Sequence, residues 1–393
     1  MMVDLFAPAG AVRLRPGRHA SLLRHHPWVY RGALAEPLAA GLAPVEVLAA
    51  NGRPLGVALP GGSGGSLALR MVSFGGGEWN ARVLRSRLRE AVALRQRLGL
   101  DSDAVRLVHA EGDNLPGLVV DRYADAAVVE VHEPAWEPLL EPVIDFLSGE
   151  LGCTCVLLRR AFRDDARVEA LVGEVPASPV TVREGQLRLS ADLVGGQKTG
   201  LFLDQRDSRR RIGELARGCT VLNLFAYSGG FAVAALAGGA ARAVNVEASA
   251  PARELAIATY RLNDLVWRDD DYLLGDAFRL SRDLVASGES FDLVVVDPPA
   301  FVKRQGQLEG GLRGYKDINL QALRLVARGG LMLTCSCSAL VDDAAFDRTL
   351  AAAATDAGRT VRVLERRGAG ADHPVSVACP ETRHLKALLC AVS

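Results

Sequence analysis

Up to about residue 75 the apolar positions come in short runs, 45–48, 55–59 and 67–72, separated by turn residues. Asn51-Gly52 between the first two predicts a type I′ hairpin turn, and Pro60-Gly61-Gly62-Ser63-Gly64-Gly65 predicts a flexible one. Residues 1–75 therefore read as a small β-rich domain. After Gly75-Gly76-Gly77 the spacing turns helical. Over 79–98, Val83, Leu84, Leu88, Val92 and Leu98 approximate one apolar face, and the opposite face is rich in arginine. Apolar runs at 105–108, 117–121 and 126–131, a helical stretch at 138–147 and a run at 155–158 make a β-β-β-α-β order. That order predicts a compact α+β module over 76–185.

From residue 186 short apolar strands alternate with alanine-rich helices, at 220–225, 231–237, 243–247, 250–263, 271–274, 291–297, 321–327 and 331–335. Such alternation predicts a parallel sheet with helices on both faces, an α/β Rossmann-like domain over 186–393. Ligands of such sheets sit at the carboxyl ends of the strands, where the strand order reverses.

Composition changes this picture little. The 46 Lys+Arg balance 46 Asp+Glu, and 49% of residues are apolar, as in ordinary folded chains. Zero net charge argues against gripping nucleic acid by bulk electrostatics, so local basic surfaces matter more. No apolar run reaches the roughly 18–20 residues of a membrane span, and MMVDLFAPAGAV lacks a basic segment before an apolar stretch. Seven unevenly placed cysteines do not form a disulfide framework. The expectation is a reduced, cytoplasmic protein. Cys153 and Cys155 lack a partner pair and His109, His132, His373 and His384 are scattered, so no metal is expected.

The first strand of the α/β region runs into Asn223-Leu224-Phe225-Ala226-Tyr227-Ser228-Gly229-Gly230, and a helix follows. Small residues there admit a ligand to the backbone and to free helix N–H groups, which makes Asn223, Phe225, Tyr227, Ser228 and Gly229 candidate cofactor contacts. Glu247, 18 residues beyond Gly229 by direct count, ends the next strand, where a carboxylate can accept both hydroxyls of a ribose. Asp276 follows the third strand and could meet an adenine amino group. The turn lacks the Gly-x-Gly-x-x-Gly fingerprint, which disfavours a dinucleotide oxidoreductase. A nucleoside with a small charged tail, S-adenosylmethionine, fits better.

Asp297-Pro298-Pro299-Ala300-Phe301 closes the next strand, and the proline pair stiffens its exit. In an enzyme acting on a base, that corner holds Asp297 against the extruded ring. The neighbouring strand ends Leu333-Thr334-Cys335-Ser336-Cys337-Ser338. Cytosine C5 is a poor nucleophile, and a thiolate adding to C6 makes it electron-rich enough to take a methyl group. Alternation places Cys335 and Cys337 on one side only while the strand persists, so periodicity does not choose between them.

Nearly end to end, the sequence resembles the bacterial large-subunit rRNA cytosine-5 methyltransferases. His26-Pro27-Trp28-Val29-Tyr30-Arg31-Gly32 is similar to their N-terminal PUA domain, a small RNA-binding β-barrel, and the stretch from Glu111 to Asp121 to their central α+β module. The stretch from Gly196 to Arg206 is the most specific signature, and Gly314-Tyr315-Lys316-Asp317-Ile318-Asn319 and His373-Pro374 also match. The resemblance implies a class I methyltransferase domain using S-adenosylmethionine and releasing S-adenosylhomocysteine. It implies cofactor contacts from Lys198, Thr199, Gly200, Asp204 and Asp297, Cys337 as nucleophile, and Asp297 at the cytosine edge. Many RNA cytosine-5 methyltransferases carry a second cysteine after the Asp-Pro-Pro corner. Here that position is Ala300, so the base removing the C5 proton stays open.

The implied partner is RNA, 23S rRNA above all, with no membrane; a homodimer is one arrangement left open. Arg13, Arg15, Arg18, Arg24, Trp28 and Arg31 of the N-terminal segment, with Arg85 and Arg89 of the first helix, are the candidate RNA contacts, since arginine clusters track phosphates. Two competing readings are an rRNA guanine-N2 methyltransferase, which needs no thiol at Cys337, and a non-catalytic ribosome assembly factor.

Overall fold

The computed structural model describes residues 4–39, 41–62, 66–163 and 167–393. The Ser63-Gly64-Gly65 part of the expected flexible turn and the first three residues of the N-terminal segment lie outside them. The chain divides into two compact units. One comprises the chain as far as Val180 together with Asp192–Leu201 and Ala371–Thr382, and the other comprises Thr181–Ala191, Phe202–Gly370 and Arg383–Ser393.

The first unit carries two five-stranded sheets. The N-terminal one is built from β1 (Ala11–Arg13), β2 (Trp28–Tyr30), β3 (Val45–Leu48), β4 (Pro54–Pro60) and β5 (Leu67–Met71), in the order β1-β3-β4-β5-β2. The β3–β4 hairpin forms as predicted, but its turn is not type I′. Gly52 is left-handed (φ 85°) and donates to Ala49 O, while Asn51 is not left-handed; a type I′ turn requires both central residues to be so. Asn51 instead accepts Arg53 N–H on its side-chain oxygen, an Asx turn.

The second sheet, in the order β10-β9-β8-β7-β6, consists of β6 (Ala104–His109), β7 (Leu118–Tyr123), β8 (Ala126–Val131), β9 (Cys155–Arg160) and β10 (Val168–Val172). Helix α1 (Ala81–Leu98) packs Leu84, Leu88, Ala91 and Val92 into its core, and Asn80 caps the helix by accepting Val83 N–H at 3.0 Å. The short α2 (Glu141–Asp145) lies within the stretch expected to be helical.

In the second unit β11 (Val180–Glu184) and β12 (Leu187–Ala191) form a hairpin, and a seven-stranded sheet follows. Its strands are β13 (Thr220–Leu224), β14 (Arg242–Glu247), β15 (Tyr272–Leu274), β16 (Phe291–Val296), β17 (Val326–Ser336), β18 (Val361–Arg367) and β19 (Lys386–Val392). The order is β15-β14-β13-β16-β17-β19-β18. The first five are parallel, and β19 runs antiparallel to both β17 and β18. Order reverses between β13 and β16, so their carboxyl ends flank the crevice in which such sheets bind ligands.

The helices are α3 (Arg206–Leu215), α4 (Gly230–Ala237), α5 (Ala250–Leu262), α6 (Ala277–Ala286), α7 (Leu308–Leu325) and α8 (Asp343–Ala357). Helix α7 is much longer than the 321–327 expected, because Gly310, Gly311 and Gly314 hide its first turns. At Gly311 a Cβ would lie 2.2 Å from a Val302 methyl, and at Gly314 3.3 Å from the Phe301 ring. These glycines let the helix press against the segment leaving the Asp297-Pro298-Pro299 corner. Among the described residues no helix is long and apolar enough to cross a membrane.

Candidate active site

The β13 exit folds back on itself. Phe225 (φ 62°) and Tyr227 (φ 46°) are left-handed, as is Gly229 (φ 73°) immediately before α4. Non-glycine residues adopt this conformation at a cost, and such strain concentrates where a loop must cradle a ligand. Glu247, at the end of β14, fixes the loop: its carboxylate accepts Tyr227 N–H at 2.8 Å, Ala248 N–H at 2.8 Å and Ser249 N–H at 2.9 Å. Three backbone donors hold the carboxylate and still leave it acceptor capacity.

Behind the loop lies a buried polar chain. Asn223 donates to Asn245 Oδ1 at 2.9 Å, and Asn245 donates to Tyr260 OH at 3.0 Å. Asn223 is thus bound inside the sheet, whereas Ser228 is buried in the loop itself. Asp276 is exposed and caps α6, accepting Arg279 N–H at 2.8 Å. Phe225, Phe278 and Phe301 cluster beside these strand ends, with ring centroids 5.7–6.4 Å apart.

The signature segment is divided between the units. In the first unit Thr199 Oγ1 donates to Asp121 Oδ2 at 2.6 Å and lies 2.8 Å from Tyr123 OH. Lys198 and Gly200 are both left-handed (φ 51° and 136°), and the Arg159 guanidinium donates to the carbonyls of Val194, Gly196 and Lys198. In the second unit Asp204 is buried, with His384 Nε2 2.9 Å from its carboxylate. Arg209 is buried in an ion pair with Glu184 and donates to Phe202 O at 2.8 Å. Against the cost of burial, the charges of Glu184, Asp204 and Asp297 raise its pKa. Nearby Ser208 Oγ is buried without a hydrogen-bond partner among the described residues. A buried orphan polar group of this kind fits a polar ligand that would complete it.

The two cysteines differ sharply. Cys335 lies within β17, fully buried among apolar residues. Burial, helped by the Asp297 charge, pushes its thiol well above the ordinary range, which suits an inert core cysteine. Cys337 lies one residue past the strand's end and is partly exposed, with Sγ 3.8 Å from Pro298 O at the Asp297 corner. Its loop is fixed through the next residue: Ser338 Oγ accepts Val302 N–H at 3.1 Å and lies 2.9 Å from the buried Tyr315 OH. Ser338 O accepts from Lys386 Nζ at 2.7 Å. The residue-level reading of the sequence singled out neither Tyr315 nor Lys386 for a role. Lys386 reaches the loop only because β19 pairs with β17, an alignment with no signature in local sequence.

Of the basic candidates in the first unit, the side chains of Arg18 and Arg24 are exposed and without a hydrogen bond or ion pair among the described residues. Arg13 donates to Ala50 O, Arg15 to Leu34 O and Arg31 to Gly62 O. Trp28 donates to Glu111 at 2.7 Å and lies under Arg70. Helix α1 is not the bare cationic face its sequence suggests, since Arg85 pairs with Asp145 and Arg89 with Glu150.

One group in the first unit, His26, Cys379 and Glu381, brings potential metal-ligand atoms within 4.8 Å of one another. Trp28 N–H donates to His26 Nδ1 at 3.2 Å, which leaves the ring proton on Nε2, and Nε2 faces Glu381 at 3.3 Å. That imidazole is a hydrogen-bond donor to the carboxylate rather than a ligand.

Residues 148–390 match the S-adenosylmethionine-dependent methyltransferase family, and residues 12–74 match a PUA-like domain. Similar curated proteins are the ribosomal RNA large subunit methyltransferases I of Vibrio vulnificus (36% identity, 98% of this chain and 100% of that one) and Photobacterium profundum (37%, 97% and 99%). A SAM-dependent methyltransferase of Streptococcus mutans shares the fold, with a TM-score of 0.86 at 20% identity over 97% of this chain and 99% of that one. A methyltransferase structure complexed with SAH superposes equally well.

Proposed function

We propose, for a chain that belongs to the S-adenosylmethionine-dependent methyltransferase family, that it methylates C5 of a cytosine in large-subunit ribosomal RNA through a covalent adduct on Cys337. One observation carries the reading: a partly exposed thiol stands against the rigid Asp297 corner, two residues from a thiol locked in the core. The relatives named as large-subunit rRNA methyltransferases cover this chain almost completely, which supports the class of RNA.

The left-handed β13 loop, Glu247 and the Asp204–Ser208 segment, with its unpartnered Ser208 hydroxyl, would hold the cofactor, the carboxylate of Glu247 accepting from the ribose. The cofactor supplies an electrophilic methyl group on a sulfonium. Cys337 Sγ, as thiolate, bonds to cytosine C6 and pushes ring electrons to C5, which takes the methyl. Loss of the C5 proton to a base then breaks the C6–S bond and returns the thiolate. Asp297 accepts hydrogen bonds from the cytosine edge and orients the ring. Exposed Arg18 and Arg24 contribute phosphate contacts.

The test is nucleoside mass spectrometry after incubating unmodified rRNA with enzyme and labelled S-adenosylmethionine. Label is expected in 5-methylcytidine for wild type and Cys335→Ala, with a loss of roughly four orders of magnitude in rate for Cys337→Ala. Label in a methylguanosine that survives both substitutions would overturn the cytosine reading.

A further inference from the structure

Lys386 is 5% exposed on β19, directly across from Ser336 in the β17–β19 pairing. Its ammonium donates to Ser338 O at 2.7 Å and to His384 O at 3.2 Å, and among the described residues it forms no ion pair. Lysine is rarely buried without a carboxylate partner, because removing an ammonium from water costs several kcal/mol. Two neutral carbonyls offset only part of that cost. The negative groups whose charge reaches it are Asp343, Cys337 and Asp342, and the one of these that becomes anionic during the reaction proposed above is the Cys337 thiol.

We infer that Lys386 is a positioning residue whose buried ammonium fixes the Cys337 loop through Ser338 O and stabilises the thiolate form of Cys337. The inference rests on the nucleophile reading of Cys337. The geometry supplies the first role, since Nζ grips the carbonyl of the residue that follows the thiol, and the second follows from the interaction between the ammonium and the Cys337 charge. On ionisation the thiol proton passes to solvent, to which Cys337 is partly open. Burial lowers the pKa of Lys386, while Asp343, Cys337 and Asp342 raise it. Cys335 on β17 and Tyr315 on α7 interact with the thiol, and Asp297 at the β16 exit, Asp204, Arg209 and His384 belong to the charged group around Cys335. The carboxylates among them disfavour a thiolate, whereas the cations Arg209 and Lys386 favour it.

The experiment is alkylation of the full-length protein by iodoacetamide, read at the Cys337 peptide by mass spectrometry across the neutral and alkaline range. Wild type, Lys386→Met and Lys386→Arg are compared, with folding checked by circular dichroism. Lys386→Met is expected to slow alkylation about tenfold at neutral pH and to move the pH profile up by about one unit. Lys386→Arg is expected to restore most of the rate, because it keeps the charge. An unchanged profile in folded Lys386→Met overturns the proposal. If that variant does not fold, ultraviolet titration of wild type against Cys337→Ser decides. Thiolate absorbance that appears below the ordinary cysteine range supports the inference, and absorbance at or above it refutes it. Methyl transfer is scored separately: activity surviving in Cys337→Ala removes the nucleophile reading, whatever the alkylation profile shows about Lys386.

Discussion

At the β13–β14 end of the site backbone groups make the contacts, whereas at the β16–β17 end side chains do. Glu247 is held by the amides of Tyr227, Ala248 and Ser249, and the loop around it takes its shape from left-handed residues. The Cys337 loop is held instead by Tyr315 and Lys386, with a proline pair stiffening the facing corner. The contrast follows from what each end is proposed to do. A cofactor common to many enzymes needs a shaped cradle that few side chains define. A reacting thiol needs its position and ionisation set, and only particular side chains do that.

Three substitutions would break or sharpen this contrast. Glu247→Ala removes the carboxylate that holds the cradle loop. It should weaken S-adenosylmethionine binding ten- to a hundredfold by calorimetry, about 1.5–3 kcal/mol, as for other hydrogen bonds to a charged group. A change under twofold would take Glu247 out of the cofactor site. Gly229→Ala tests the backbone alone: its φ of 73° and an Ala256 methyl 3.3 Å from the added Cβ predict a loss of about 1–2 kcal/mol in denaturant unfolding. An unaltered midpoint would show that the loop relaxes freely. Tyr315→Phe, at the other end, should cost about 1 kcal/mol of stability and slow methyl transfer less than tenfold. A loss as large as that of Cys337→Ala would mean that Tyr315 itself takes part in the chemistry.

Sequence legibility divided along the same line. The strands β13, β14 and β16 stood out because buried parallel strands are continuous apolar runs, and the glycines at the first turn marked the cradle. The Asp-Pro-Pro corner and the paired cysteines were visible because chemistry restricts residue type, but only the family resemblance separated Cys337 from Cys335. What escaped notice depended on distance along the chain. The ion pairs of the α1 arginines could not be read locally because Asp145 and Glu150, which pair with Arg85 and Arg89, lie some 60 residues away in the sequence. Helix α7 was masked by glycines whose reason is the neighbouring Phe301–Val302 segment. Lys386 reads as an ordinary lysine before an apolar run until β19 is paired with β17.

The interleaving of the two units bears on how this polypeptide is made. Buried Arg95 in the first unit donates to Asp372 O at 2.7 Å, and Arg106 N–H donates to the Asp372 carboxylate at 3.0 Å. Asp372 leaves the ribosome long after α1 and β6, whose groups it bonds. At about 5–20 residues per second, the stretch between Val180 and Ala371 takes roughly 10–40 s to synthesise. Until then the Asp372 carbonyl that Arg95 bonds in the complete fold, beside its ion pair with Asp113, does not yet exist. The nascent first unit therefore waits, incompletely bonded, for a segment encoded after nearly all of the second.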